Sequence, residues 1–190
     1  MTKYILAFSL LTLSYMPFSN AATTTQTGNV AVHIAKRNYF HPVRFLHPYM
    51  DVWHMKGPLA EKVALSTLQT RFSNINQCRD NSEASVVLLL EPNIFYNAQL
   101  RVFHTEFIAR AYTTDGEPIT QVRRETEQLG MLSSTPEFYI EKGYTSAMNQ
   151  TIEALLTDQA FLSVLDKNTP IKAGDLCHTL DKLPSENFYY

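Results

Sequence analysis

The amino-acid sequence predicts an α+β fold, a mainly antiparallel sheet with a long hairpin and two helices packed on one face. Three observations carry that expectation. The continuous apolar run Ser85 to Leu90 reads as a strand covered on both sides. Thr114-Asp115-Gly116-Glu117 joins two long extended segments as a hairpin turn, because Asp-Gly tolerates the positive φ of a tight turn. Helix-period stretches stand before and after that block, so the order is strand, helix, strand, hairpin, helix.

Taken from the start, residues 1–21 have the three parts of a cleavable signal peptide. Lys3 precedes an apolar run from Tyr4 to Met16, Pro17 breaks a helix, and Ser19 and Ala21 supply the small side chains a signal peptidase needs. The run is shorter than the roughly 20 residues of a spanning helix. It has no polar face, which argues against the competing reading, an uncleaved amphipathic anchor. Cleavage is expected after Ala21, with Ala22 the nearest alternative. Residues 22–190 then form a single α+β domain with no membrane span, whose tail (about 168–190) carries Pro170, Gly174, Pro184 and no period. The expected destination is the periplasm, with release outside the cell as the alternative.

Ala22 to Thr27 is polar and Thr-rich, and Asn29 to Ala35 alternates Val30, Val32 and Ile34 as a first strand. Lys36 to Lys56 follows, dense in aromatics, with two His-Pro pairs and no clear period; Pro42 and Pro48 make it read as a long loop or edge segment. Gly57-Pro58 opens a helix with Leu65, Leu68, Phe72 and Ile75 at helical spacing, ending near Asn74 to Gln77. After the strand at Ser85 to Leu90, Pro92-Asn93 reads as an interruption. A second long strand is expected from about Gln99 to Thr113, with Phe103, Thr105, Phe107, Ala109 and Ala111 on one face. His104, Glu106 and Arg110 occupy the other along with Val102 and Ile108, and surface charge is the simplest reading of His104 and Glu106. Ile119 to Gln128 returns, and its Arg123, Arg124, Glu125 and Glu127 suit an edge that discourages further pairing. Ser134 and Glu137 have capping-box spacing and Pro136 fits a first turn; Gly143 is placed to kink or delay the helix. From Tyr144 the period runs through Met148, Ile152, Leu155, Leu156, Phe161, Leu162 and Leu165.

Residues 84–165 resemble the YajG-like envelope lipoproteins and, more loosely, the auxiliary lipoproteins of envelope lipid transporters. The resemblance lies in a buried strand, a hairpin tipped "TTDGEPI", and a final helix "MNQTIEALLTDQAFLSVL" in which Asn149, Ile152, Leu155, Leu156, Asp158, Phe161 and Leu165 match. It implies a Gram-negative periplasmic accessory or binding role with no catalytic residues to carry over. This chain departs in lacking the lipidated Cys, in its His/aromatic insert, and in its disulfide-capable tail.

Composition sets further bounds. Hydrophobic residues at 45% suffice for a packed core. Sixteen Lys and Arg against 18 Asp and Glu leave no basic surface for nucleic acid. Two cysteines, Cys78 and Cys177, in an exported chain favour a bridge that tethers the tail; two separate buried thiols are the alternative. On the chain-entropy model, such a closure stabilises by up to about 4.7 kcal/mol.

Chemistry is sought first in the insert. His41, His47 and His54 have ligand chemistry for zinc or copper, yet spacings of 6 and 7 match no ligand motif, and packing histidines are the simpler reading. Tyr39, Phe45, Tyr49 and Trp53 are candidates to bind a partner or apolar ligand, set against a bland role as satellite core. His104 and Glu106 could face a common region of solvent, but no nucleophile elbow or phosphate-binding glycine loop accompanies them. No catalytic set and no cofactor are assigned. The expected function is a non-catalytic accessory protein binding an envelope protein or component. Small-molecule or lipid binding through residues 39–54, and metal binding, are the alternatives.

Overall fold

A computed structural model describes residues 25–133, 135–167 and 170–184; the signal-like segment lies outside them. The fold is α+β and is organised around one strand. The apolar run expected to be covered on both faces is the start of β6 (Val86–Asn97), the middle strand of a five-stranded sheet. Its neighbours are β1 (Gln26–His33) on one side and β7 (Val102–Thr113) on the other. β4 (Phe72–Gln77) and β8 (Pro118–Leu129) form the two edges, so the order is β4-β1-β6-β7-β8. β6, β7 and β8 are antiparallel in long ladders, the β7–β8 one shifting register between Ala111 and Tyr112, whereas β1 runs parallel to both β4 and β6. The tip of β7–β8 is the expected Asp-Gly turn, with Gly116 at φ 91°, where a side chain would be strained.

Alternation along the strands decides what covers each face. On the inner face Val30, Leu88, Leu90, Phe103, Phe107 and Ala109 are buried under α2 (Lys56–Leu68), α3 (Pro136–Thr157) and α4 (Gln159–Leu165). α3 approaches β7 closely because Gly143 has no side chain: a Cβ there would meet Thr105 Oγ1 at 2.5 Å. The same glycine's carbonyl accepts from Thr126 Oγ1 at 2.9 Å, and Thr126 shares a 3.0 Å bond with Thr105. Gly143 therefore neither kinks nor delays the helix; it lets the helix lie down.

The expected helices share the inner face, and the tethered tail gives the outer face a cover of its own. α5 (Gly174–Leu180) packs Cys177 and Leu180 onto Ala31, Ala35, Val87 and Leu89. It is held there by the Cys78–Cys177 disulfide, with Cα atoms 6.0 Å apart. The small strand β5 (Glu83–Ala84) pairs with β9 (Ile171–Lys172) beside it. Asp181 closes the far end, accepting from His33 Nε2 at 3.0 Å and the Lys36 backbone N–H at 3.1 Å.

Several local expectations fail for physical reasons. The helix ends at Leu68, and Phe72 and Ile75 belong to β4; Ser73, Asn74 and Asn76 are weak helix formers, and the parallel ladder to β1 satisfies their backbone. Pro92 does not interrupt β6. Its pairing with β1 ends at Leu89, so beyond that point β6 has an open edge where a missing N–H costs no bond. α3 starts at Pro136 after Thr135, which makes no side-chain cap; Ser134 lies outside the described residues. The long C-terminal period is broken at Asp158, whose Oδ1 accepts from the N–H groups of Ala160 and Phe161 and starts α4.

Candidate functional site

The segment 36–56, expected to be a long loop or edge segment, is a short helix α1 (Lys36–Tyr39) and an antiparallel hairpin of β2 (Pro42–His47) and β3 (Met50–Met55). Its turn, Pro48-Tyr49, is braced by the Tyr49 N–H donating to His47 Nδ1 at 3.2 Å. The base is closed by the Lys56 N–H donating to the His41 carbonyl at 3.2 Å. Period-two alternation then sorts the side chains. Val43, Phe45, Val52 and His54 face the body of the protein; Arg44, Leu46, Asp51, Trp53 and Met55 face away.

Phe45 is the anchor. It is 1% exposed, meets Phe103 edge-on at 5.8 Å and Tyr96 at 6.3 Å, and stacks on His54 at 5.9 Å. The buried Nε2 of His54 has no hydrogen-bond partner, and desolvation pushes its imidazole below the usual range. Of the aromatic candidates, Phe45 thus belongs to the core and Tyr39 is half-buried with its hydroxyl 3.4 Å from Glu61 Oε2. Tyr49 and Trp53 stand in solvent, 91% and 58% exposed. On that outward face Arg44 Nε donates to Asp51 Oδ1 at 2.7 Å, and its guanidinium carbon lies 5.9 Å from the Trp53 ring.

The three histidines do not converge. Register pairs Val43 with His54 and His47 with Met50, which puts His54 and His47 at opposite ends of the hairpin, about 13 Å apart at ~3.3 Å per residue. His47 packs on Tyr49, and among the described residues no three His, Cys, Asp or Glu side chains are placed to hold a metal.

Leu46, Tyr49, Trp53 and Met55 are matched by a second exposed apolar group nearby. Leu100 sits in the β6–β7 turn, Leu129 and Met131 at the end of β8, and Phe138 in the first turn of α3. The two groups share one end of the sheet, because Tyr139 stacks on the same Phe103 that receives Phe45, at 6.0 Å, and Phe138 packs on Tyr139. Phe95, 41% exposed and opposite His104 near the end of β6, lies on the outer face of the same end. Sequence inspection missed Leu46, Met55, Leu100, Leu129 and Phe138, since a single exposed apolar residue carries no pattern.

Beside this end, the outer face of the sheet holds a polar chain that was also not anticipated. Lys56 Nζ donates to Asn93 Oδ1 at 3.1 Å, Asn93 Nδ2 to Glu106 Oε2 at 3.0 Å, and Arg123 Nε to Glu106 Oε1. Arg110 Nη1 bridges to Glu91 at 3.2 Å. Glu106 is therefore a buried, paired carboxylate and not surface charge. Desolvation lowers the Lys56 pKa, while the Glu91 and Glu106 carboxylates pull it back up. His104 Nδ1 lies 3.4 Å from Glu125 and 3.6 Å from Glu127. Asn93, Phe95, Asn97, His104, Glu106 and Glu125 line a cleft of about 310 Å³, so the His104–Glu106 pair does share one opening. None of the described residues lining it is a Ser, Thr or Cys.

No family model matches the chain, and no curated protein matches it in sequence. Among solved structures, protein XCC0632 from Xanthomonas campestris, of family DUF330, is similar with a TM-score of 0.52 at 10% identity, over 79% of this chain and 94% of that one. That likeness shows a common fold. A candidate lipoprotein from Caulobacter crescentus, at 14% identity over 75% of this chain and 93% of that one, has a TM-score of 0.36, too low to carry an argument.

Proposed function

We propose that this chain is an exported, non-catalytic binding protein of the bacterial envelope that engages a partner protein or envelope component through the β2–β3 hairpin. The observation that carries the proposal is the sorting of that hairpin: one face anchored by Phe45, the other offering Leu46, Trp53 and Met55 with Tyr49 at its tip. Apolar side chains on the outward face of a two-stranded ribbon do nothing for a monomer, and such patches mark interaction sites. Three further observations support the envelope. The N-terminal segment has the signal-peptide pattern, the paired cysteines suit an oxidising compartment, and the hairpin-plus-helix motif resembles YajG-like lipoproteins. No described helix is long and apolar enough to cross a membrane.

Crosslinking in cells followed by capture of the chain tests the binding role. Wild type should trap a specific envelope species that Leu46→Glu does not; identical capture by both would remove the hairpin from the mechanism. N-terminal sequencing of the chain recovered from an osmotic-shock fraction tests export, with Ala22 expected first. A second reading, uptake of a small ligand, is favoured by the cleft at His104 and Glu106, and native mass spectrometry of material from the native host would reveal a retained mass.

A further inference from the structure

We propose that the cleft on the outer face of the sheet binds a neutral saccharide, with a ring stacked on Phe95 and hydroxyls bonded to Asn93, Asn97 and Glu106. This inference rests on the second reading above, uptake of a small ligand, and names the chemistry of that ligand. The cleft measures about 310 Å³, at the small end of ligand sites, which run from about 300 to 1,000 Å³. Its floor is polar and fixed beforehand. Asn93 and Glu106 are 4% and 5% exposed and bond each other at 3.0 Å. Lys56 Nζ holds Asn93 from the start of α2 at 3.1 Å, and Arg123 Nε holds Glu106 from β8. A sheet that needed only stability here gains little from such a chain, since apolar residues of similar volume often serve as well or better. Polar groups locked by partners before a ligand arrives are what lowers the cost of binding one.

The lining selects the ligand by elimination. An anion would meet Glu125 at the mouth, with Glu127 beside it. A cation would find those two carboxylates facing His104, and Glu106 already answered by Arg123. A purely aliphatic molecule would cover Asn93 and Glu106 without replacing the water they lose. What remains is an uncharged molecule with an apolar face and hydroxyl edges. Phe95, 41% exposed and 5.7 Å from the His104 ring, supplies apolar surface for that face. Asn97 Oδ1 accepts from the Gln99 and Leu100 N–H groups, both at 3.1 Å, which leaves its Nδ2 to donate. Asn93 Nδ2 keeps a second hydrogen, and each Glu106 oxygen a second lone pair. A hydroxyl donates and accepts at once, so a ring carrying several of them uses both kinds of group.

Four sugars that share one ring separate these chemistries: glucose and N-acetylglucosamine are neutral, glucosamine is cationic and glucuronate is anionic. Each is titrated into chain purified from its own host and followed by calorimetry and saturation-transfer NMR. At least one neutral sugar should bind, and glucuronate should bind at least roughly tenfold more weakly. Phe95→Ala should weaken the neutral sugar roughly tenfold. Asn97→Asp keeps the oxygen that caps the turn but removes the donor, and should weaken it roughly fivefold. Thermal melting checks the folding of both variants, and Trp53→Ser on the hairpin should leave sugar binding unchanged. Binding of neither neutral sugar, equal binding of glucuronate, or binding indifferent to both cleft variants overturns the proposal. If the sugars fail while native mass spectrometry shows a retained mass that Phe95→Ala releases, the cleft holds another class of ligand and the second reading stands. If no mass is retained either, both fall.

Discussion

The molecule contains two prominent hairpins that treat solvent in opposite ways. β7–β8 ends in an Asp-Gly turn and turns Gln121, Arg123, Glu125 and Glu127 outward, so its free edge and face are charged. β2–β3 ends in Pro48-Tyr49 and turns Leu46, Trp53 and Met55 outward, with a single ion pair among them. Charge on an outward sheet face keeps water and discourages pairing with other strands. Its near absence on the second hairpin marks a surface that gains by being covered. One hairpin is part of the scaffold; the other is held out by it.

Substitutions can break that contrast, starting with the anchor. Phe45→Ala removes the side chain that docks β2–β3 onto Phe103 and Tyr96, and it should cost about 4 kcal/mol by urea titration, with the hairpin losing protection in hydrogen exchange first. Glu106→Ala attacks the other hairpin through its hidden charge. It removes the acceptor of Asn93 Nδ2 and one of the two carboxylates facing Lys56, but Arg123 is half exposed and can turn to water, so about 2 kcal/mol is expected where fully buried pairs lose about 3–5. Gly116→Ala strains the β7–β8 tip at φ 91° and should cost about 1 kcal/mol, read as a small fall in Tm.

A pH comparison sharpens the contrast further. Burial holds the His54 imidazole below its ordinary 6.5, so below that pH the unfolded chain takes up more protons than the folded one. Stability present above 6.5 is lost as pH falls through the lowered value, and His54→Leu should flatten that part of the curve between pH 7 and 5. The smallest effect completes the series. Leu46→Ser and Trp53→Ser on the outward face should leave unfolding unchanged to about 0.5 kcal/mol while removing capture of the partner.

How much of this was legible in the sequence varies with what each pattern had to encode. β6, β7 and β8 were readable because burial on both faces, strict alternation and an Asp-Gly turn are local signals that the fold reinforces. The bridge was readable from two cysteines and the signal-like N-terminus. β2–β3 was not, and the reason is instructive: Leu46, Trp53 and Met55 stand where a solvent-facing strand would have polar residues, which erases the period. The feature that makes the hairpin a candidate site is the one that hid it. Phe72 and Ile75 kept helical spacing by coincidence with β4, and only the ladder to β1 tells the two apart. Glu106 looked like surface charge because its partners, Lys56, Asn93 and Arg123, come from three other elements.

The placement of β1 has a consequence for how the chain assembles. It is the earliest described strand to leave the ribosome, yet it lies between β4 and β6, and both pairings are parallel. Neither partner exists until residues 72–77 and 86–89 have been made, whereas β6, β7 and β8 close on one another through short turns. Local contacts close before distant ones, so the meander is expected to form first and β1 to complete the sheet, an order that pulsed hydrogen exchange would read. Only then are the Cys78 backbone, bonded to Val32, and the bed for α5 both in place, so the sulfur bridge is a late seal on a topology already chosen.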